Sequence, residues 1–182
     1  VNINKSNEEF NYKMHGSFDV SGIAACLESY SDQWLRRARD GFSKTTSFFI
    51  YDHPIIWSIQ ENFKPKVIDN NKEMHDLLSP IITYLEGIHN GKVAKCLFVK
   101  LPAGENVEPH VDKMNYLGVV RRHHIAIQTN DQVLFFVNNE EKNMKVGDCW
   151  EVNNNKEHAV KNLGQTDRIH LMIDIMPNQF IK

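Results

Sequence analysis

The sequence predicts a mainly β protein with flanking helices, built around a jelly-roll double sheet. Three observations predict it. The texture of the chain changes near residue 91, with helical patterns before it and short strands after it. Turn chemistry recurs between those strands, at Pro102-Ala103-Gly104, Asn130-Asp131, Asn138-Asn139, Gly147-Asp148, Asn153-Asn154-Asn155 and Gly164. Many short strands at regular spacing are the pattern of a barrel or double sheet, which hides strand edges. The helical half would then cover one sheet from outside.

Each element has a local reason. Asp19 to Leu35 carries Ile23, Leu27 and Trp34 at roughly helical spacing, with Ser21 as a start signal. Thr45 to Tyr51 (TTSFFIY) is a β-branched and aromatic run that predicts a strand. Asn71 to His89 sets Met74, Leu77, Leu78, Ile81, Ile82, Leu85 and Ile88 on one stripe, ended by Asn90-Gly91. Pro80 inside that stripe predicts a kink or a break, because its ring removes a helical hydrogen bond. The strands that follow are read at Val93 to Leu101, Arg121 to Thr129, Gln132 to Val137, Asp148 to Asn153, His158 to Asn162 and Arg168 to Ile175.

A chain of 182 residues reads as one domain, 1–182. Within it 1–91 forms a helical support with one or two strands, and 92–176 the double-sheet core. With 41% hydrophobic and 24% charged residues it has the makings of an ordinary core, which excludes a disordered chain, a collagen-like repeat and a disulfide scaffold. A net charge of −2 gives no bulk drive toward nucleic acid or an anionic membrane, and neither is expected as a partner. Cys26, Cys96 and Cys149 are widely spaced and form no CxxC pair, so reduced, buried thiols in a cytoplasmic protein are expected. There is no apolar run of about 18 residues and no basic-then-apolar leader. Val1 in place of Met reads as trimming. Nine histidines point to metal or proton chemistry without saying which.

The chemistry concentrates after Pro109. In extended chain, residues two apart point to the same side, so His110 and Asp112 present an imidazole and a carboxylate to one point. His158 opens a later strand. Two histidines and one carboxylate on one face of a metal leave positions open, the arrangement of non-haem Fe(II) oxygenases. Arg168 sits inside the apolar run Ile169, Leu171, Ile173, where an inward guanidinium needs an anion. Its planar fork suits the far carboxylate of 2-oxoglutarate. Between these, alternation in Arg121 to Ile127 puts Arg122, His124 and Ala126 on one face and His123, Ile125 and Ile127 on the other. Arg122 and His124 then line the metal's cavity, or His124 is a satisfied core histidine.

The ordered motifs Pro102-Ala103-Gly104, PHVD at 109–112, RRHHIAIQTN at 121–130, MKVGDCWEVNN at 144–154, HAVKN at 158–162 and RIHLMIDI at 168–175 resemble the aspartyl/asparaginyl β-hydroxylase family. This is a branch of the Fe(II)/2-oxoglutarate dioxygenases whose relatives include bacterial proline cis-hydroxylases. The resemblance covers roughly 93–176 and implies a double-stranded β-helix, cupin-like core. It implies Fe(II), 2-oxoglutarate and O2 as cofactor and cosubstrates, and hydroxylation of an amino acid or a peptidyl residue. His110 and His158 would be iron ligands, Arg168 the partner of the distal 2-oxoglutarate carboxylate, and Arg122 and His124 residues approaching the cosubstrate. Trp150 and Asn162 match positions that look structural. The animal peptidyl-aspartate hydroxylase that names the family has glycine where this chain has Asp112, as the third ligand. That departure counts against carrying over its substrate, an aspartyl residue in a growth-factor-like domain.

Two other readings compete. A cupin-type metal enzyme without 2-oxoglutarate usually carries His-x-His and a glutamate ligand, which His-x-Asp followed by Arg168 does not match. A non-catalytic jelly-roll binding module would bind no iron tightly. Lys113, Met114, Asn115 and Tyr116 lie in a loop after the metal motif, where Lys113 and Tyr116 either recognise a substrate carboxylate or simply stand in a solvated loop, and His170 and Met172 share the strand face of Arg168. His15, His53, His75 and His89 receive no role, and oligomeric state is not readable from the sequence.

Overall fold

The protein is described from a computed structural model covering residues 8–36, 44–52, 65–112 and 115–181. In chain order its elements are β1 (Tyr12–Ser17), α1 (Ser21–Leu27), β2 (Leu35–Arg36), β3 (Thr46–Asp52), β4 (Lys66–Val67) and α2 (Lys72–His89). Then come β5 (Gly91–Leu101), β6 (Asn106–His110), β7 (Arg121–Gln128), β8 (Val133–Val137), β9 (Glu140–Lys142), β10 (Asp148–Val152), β11 (His158–Asn162) and β12 (Arg168–Pro177).

The strands after α2 form the jelly-roll. One sheet has the order β1-β10-β7-β12-β5-β3-β2, with β4 beside β3, and the other has the order β6-β11-β8-β9. The chain therefore crosses between sheets as it runs from β5 to β12, which is the winding of a double-stranded β-helix. Asn138 and Asn139 both take positive φ, at 46° and 69°, in the two-residue turn between β8 and β9. That turn requires left-handed residues at both places, and asparagine tolerates them.

Strand alternation divides the buried residues into two cores. Leu101, Val107, Ala126, Val133, Phe135, Val137, Val152 and Val160 fill the space between the sheets. Ile125, Ile127, Leu171, Ile173 and Ile175 point from β7 and β12 the other way, into a core shared with Ile23 and Leu27 of α1 and Leu78, Ile81 and Leu85 of α2. The helices thus cover the outer face of the larger sheet, and its inner face turns toward the smaller sheet, where the polar side chains described below lie.

Several expectations need correction. The helix expected over Asp19 to Leu35 is α1 followed by a 3-10 segment from Glu28 to Gln33. Ser21 does not cap it; the Ser21 N–H donates instead to Asp19 Oδ1 at 2.9 Å. Pro80 neither breaks nor ends α2. It lies on the exposed side, as does Asp76, whose carbonyl is four residues back and within reach of water. Asn71 caps α2 by accepting from the backbone N–H groups of Glu73 and Met74, a device worth about 1 kcal/mol. Asn90 closes the helix in the left-handed region at φ 43°, and Gly91 already belongs to β5. Ile88, read as part of the buried stripe, is exposed. The short strands β1, β2, β4, β6 and β9 lie outside the segments that local pattern marks as strands. His53, Lys113 and Met114 lie outside the described residues.

Candidate active site

His110 ends β6 and His158 begins β11, and the two are direct cross-strand partners, with ring centroids 4.2 Å apart. Each ring is oriented the same way. His110 Nδ1 lies 2.8 Å from the Glu108 carbonyl and His158 Nδ1 lies 2.9 Å from the Lys156 carbonyl. A carbonyl only accepts, so both Nδ1 atoms carry a proton, and in the neutral ring Nε2 is then the nitrogen whose lone pair a metal can take. Orientation of a ligating imidazole through its other nitrogen is a recurring feature of metal sites.

Asp112 completes the set two residues beyond His110. Its backbone N–H donates to the Asn154 carbonyl at 3.2 Å, which fixes the chain just past β6. The two carboxylate oxygens have different tasks. Oδ2 accepts from Arg122 Nη1 at 2.5 Å and from Asn154 Nδ2 at 3.2 Å. Oδ1 faces His110 Nε2 at 4.0 Å. Burial alone would raise the Asp112 pKa, but the Arg122 guanidinium, the two imidazoles and Asn154 outweigh it and hold the carboxyl below its ordinary value. Burial pushes His158 down to about 4, against the opposing pull of Asp112, so its imidazole is neutral at physiological pH.

One donor atom from each of His110, Asp112 and His158 lies within 4.8 Å of the others. Ligands at about 2.1 Å from an ion and at right angles to each other are about 3 Å apart, so modest inward movement gathers them on one metal. Two imidazole nitrogens and a carboxylate oxygen fit Fe(II). The donor set is not sealed: the His110 side chain is 24% exposed and that of Asp112 13%.

A line of side chains leads inward from this centre. The Phe135 ring lies nearly parallel to His158, His124 stands edge-on to Phe135, and His170 is 5.9 Å from His124 between ring centroids. At the end is Arg168, 2% exposed, with its guanidinium carbon 5.8 Å above the Phe135 ring centre. Arg168 Nη2 donates to His170 Nδ1 at 2.7 Å, while Arg168 Nε has no acceptor among the described residues. His170 Nε2 and His124 Nδ1 are likewise buried without a hydrogen-bond partner among the described residues. Burial presses Arg168 down to about 9, which leaves it charged at neutral pH, and burial with Arg168 close by holds His124 and His170 well below the usual imidazole range. A buried cation without a carboxylate, beside two neutral imidazoles with spare nitrogens, is the chemistry of an anion site.

Arg122 is placed differently. It grips Asp174 of β12 with two hydrogen bonds of 2.8 Å, through Nε and Nη2, and holds Asp112 with Nη1. The two carboxylates outweigh burial and raise its pKa further above its already high value. The sequence brings Arg122, His124 and Ala126 to the inner face as alternation requires, but Arg122 meets two carboxylates of the chain itself there. Tyr116 reaches the same group, its hydroxyl 3.4 Å from Asp174 Oδ2, instead of standing in a solvated loop. Asn162 donates from its side chain to the carbonyls of Leu101, Pro102 and Thr166, a structural role. Two functional partners escaped the sequence reading. In the sequence Asn154 reads only as turn chemistry and Asp174 as part of an apolar strand.

Comparison with known proteins agrees with this geometry. Residues 46–177 match the family described as Aspartyl/Asparaginyl beta-hydroxylase. No curated protein sequence matches the chain. Among solved structures, a 2OG-Fe(II) oxygenase family oxidoreductase from Burkholderia pseudomallei superposes with a TM-score of 0.62 at 10% identity, covering 92% of this chain and 85% of its own. A prolyl hydroxylase from Trichoplax adhaerens, in complex with a hypoxia inducible factor peptide fragment, gives 0.63 at 13% identity over 98% and 90%. A Pseudomonas putida prolyl-4-hydroxylase gives 0.61 at 9% over 96% and 97%. At such identities the likeness is one of fold. With 132 of 182 residues inside the family match, and the donor set in place on that fold, the chain belongs to the aspartyl/asparaginyl β-hydroxylase family of 2-oxoglutarate-Fe(II) oxygenases.

Proposed function

We infer that this chain is an Fe(II)- and 2-oxoglutarate-dependent dioxygenase that hydroxylates an unactivated carbon of an amino acid, free or within a peptide, releasing succinate and CO2. One observation carries the reading. The two facing sheets hold a two-histidine, one-carboxylate donor set at β6 and β11 and, on β12 of the larger sheet, a buried arginine with no carboxylate partner among the described residues. Fe(II) bound there, with 2-oxoglutarate and O2, supplies the oxidising power for breaking a C–H bond.

The chain's own residues do the rest. His110 and His158 offer Nε2, and Asp112 offers Oδ1. Arg122 and Asn154 position Asp112 by holding Oδ2, so the other oxygen stays turned toward the histidines. Arg168 receives the distal carboxylate of the cosubstrate, with His170 fixing its guanidinium and His124 offering a hydrogen bond along the way. Phe135 and its neighbours exclude water from that end. Substrate enters from the open side beside His110. The Trichoplax relative holds a peptide fragment on a similar fold, which supports a peptidyl residue as substrate. Among the described residues no helix is long and apolar enough to cross a membrane. The three cysteines are buried free thiols, and we place the reaction in the cytoplasm on that ground.

The test has two stages. Anaerobic addition of Fe(II) and 2-oxoglutarate should produce the weak visible charge-transfer band of the chelate. Succinate release is then screened against the proteinogenic amino acids and a peptide panel, where one class should raise it well above the substrate-free rate. Well-folded protein that shows no band would overturn the assignment and leave a jelly-roll binding module.

A further inference from the structure

A second cluster of metal-ligating side chains lies on the other face of β7, apart from the centre described above. His15 of β1, His89 at the end of α2, His123 of β7 and Glu151 of β10 each bring one donor atom within 4.8 Å of the rest. We propose that these four residues bind a divalent transition-metal ion, zinc by the chemistry of the donors, as a closed structural site that fastens β1 and α2 to the larger sheet.

The fold brings the four together by three independent devices. His123 and Glu151 are directly opposed cross-strand partners in the β7–β10 ladder. In the β1–β10 ladder Lys13 opposes Glu151, and alternation puts His15 on that same face. An extra residue then enters β1 between Met14 and Ser17, where Gly16 takes φ 114°. The last turn of α2 supplies His89, held in place because Glu86 of the same turn accepts the Val93 N–H at the start of β5.

The separations suit a four-coordinate ion. His89 Nε2 lies 2.9 Å from His123 Nε2, His15 Nε2 lies 3.0 Å from Glu151 Oε2, and His89 Nε2 lies 4.0 Å from Glu151 Oε2. Donors at about 2.0–2.1 Å from a tetrahedral zinc ion are about 3.3 Å apart, in the middle of these values. The ring centroids lie 4.8 to 5.3 Å apart, with the His15 ring T-shaped to both His89 and His123 and those two tilted to each other, so three imidazoles already converge. Burial is deep: His123 and Glu151 are at most 1% exposed. The carboxylate also has an outer partner, since Arg121 Nη1 donates to Glu151 Oε1 at 3.2 Å and to Glu8 Oε2 at 2.8 Å. Oε2 can therefore face the ion while Oε1 stays hydrogen-bonded, the usual support for a carboxylate ligand. Four protein donors leave no position for a substrate, which makes the site structural.

The experiment separates the two centres by removing one. In a His110→Ala/Asp112→Ala chain, stripped of metal, Co(II) is titrated anaerobically and metal content is measured after Zn(II) loading. The expected result is about one ion per chain, the intense visible bands of tetrahedral Co(II), and a rise in Tm on zinc binding. Adding His89→Ala should remove all three while the circular dichroism stays that of a folded chain. Should that variant fail to fold, His15→Gln on the outermost strand gives the same readout. No bound ion in the doubly substituted chain, or binding that survives both His89→Ala and His15→Gln, would overturn the proposal and leave a hydrogen-bonded histidine network.

Discussion

β7 separates two histidine clusters that differ in what they leave open. On its inner side His110, Asp112 and His158 supply three donors, with one histidine partly exposed and a buried cation waiting further along the cavity. On its outer side His15, His89, His123 and Glu151 supply four donors packed between sheet and helix. Three donors with an exposed flank admit other ligands; four donors in a core do not. The residue types are nearly the same, so what separates a reactive centre from a structural one here is coordination number and access. Histidine count carries little of that information.

The largest effect that tests the contrast is loss of a ligand on the open side. Asp112→Ala should lower substrate-dependent succinate formation by more than the roughly 100-fold that loss of an outer partner of a metal ligand costs. Turnover within a few-fold of the unaltered protein would remove Asp112 from the ligand set. Next comes the far end of the same cavity. Arg168→Ala should raise the 2-oxoglutarate concentration needed for half-maximal rate by about 100-fold, the scale of losing one partner of a buried charge pair. The effect belongs in KM for the cosubstrate, with a smaller change in kcat. An unchanged 2-oxoglutarate dependence would assign Arg168 to structure.

A subtler change sharpens the comparison from within the open site. Asn154→Ala removes one donor from Asp112 Oδ2 while Arg122 keeps the other. The expected cost is about 10-fold in Fe(II) affinity, at the low end for an outer-shell partner, read by metal titration with the chelate band. By contrast His89→Ala alone should leave that band and the 2-oxoglutarate dependence unchanged.

The inner cluster was legible in the sequence for a simple reason. His110 and Asp112 are two apart in extended chain, and Arg168 stands out in an apolar strand. That His110 and His158 face each other across β6 and β11 depends on strand pairing far apart in sequence, and there only the resemblance guided the reading. Alternation placed Arg122 correctly on the inner face. Its partner Asp174 is fixed by the β7–β12 register, which opposes the two residues and which no local pattern encodes. The outer cluster was illegible for the same reason in stronger form. Its four ligands come from β1, α2, β7 and β10, with no spacing motif, and β1 itself is a short polar edge strand that lacks an apolar alternation. Where a site is made by register between distant strands, composition and periodicity place each residue on a face and stop there.

The smallest expected effect concerns the two neutral histidines at the cosubstrate end of the open site. Burial, with Arg168 adding to it, holds His124 and His170 well below the ordinary imidazole pKa in the folded chain. In the unfolded chain each returns to about 6.5. Above that pH both states are neutral and the pair has no bearing on stability. Below it the unfolded chain binds protons that the folded chain refuses, so stability falls as pH falls, by up to about 1.4 kcal/mol per pH unit for each histidine. His170→Gln keeps a polar group beside Arg168 but cannot take up that proton. Urea unfolding between about pH 5 and 6.5 should then give a slope shallower than the unaltered protein's by about one histidine's share. Equal slopes would mean that His170 is protonated in the fold, and a protonated imidazole against the Arg168 guanidinium would require an anion already held at that end of the cavity.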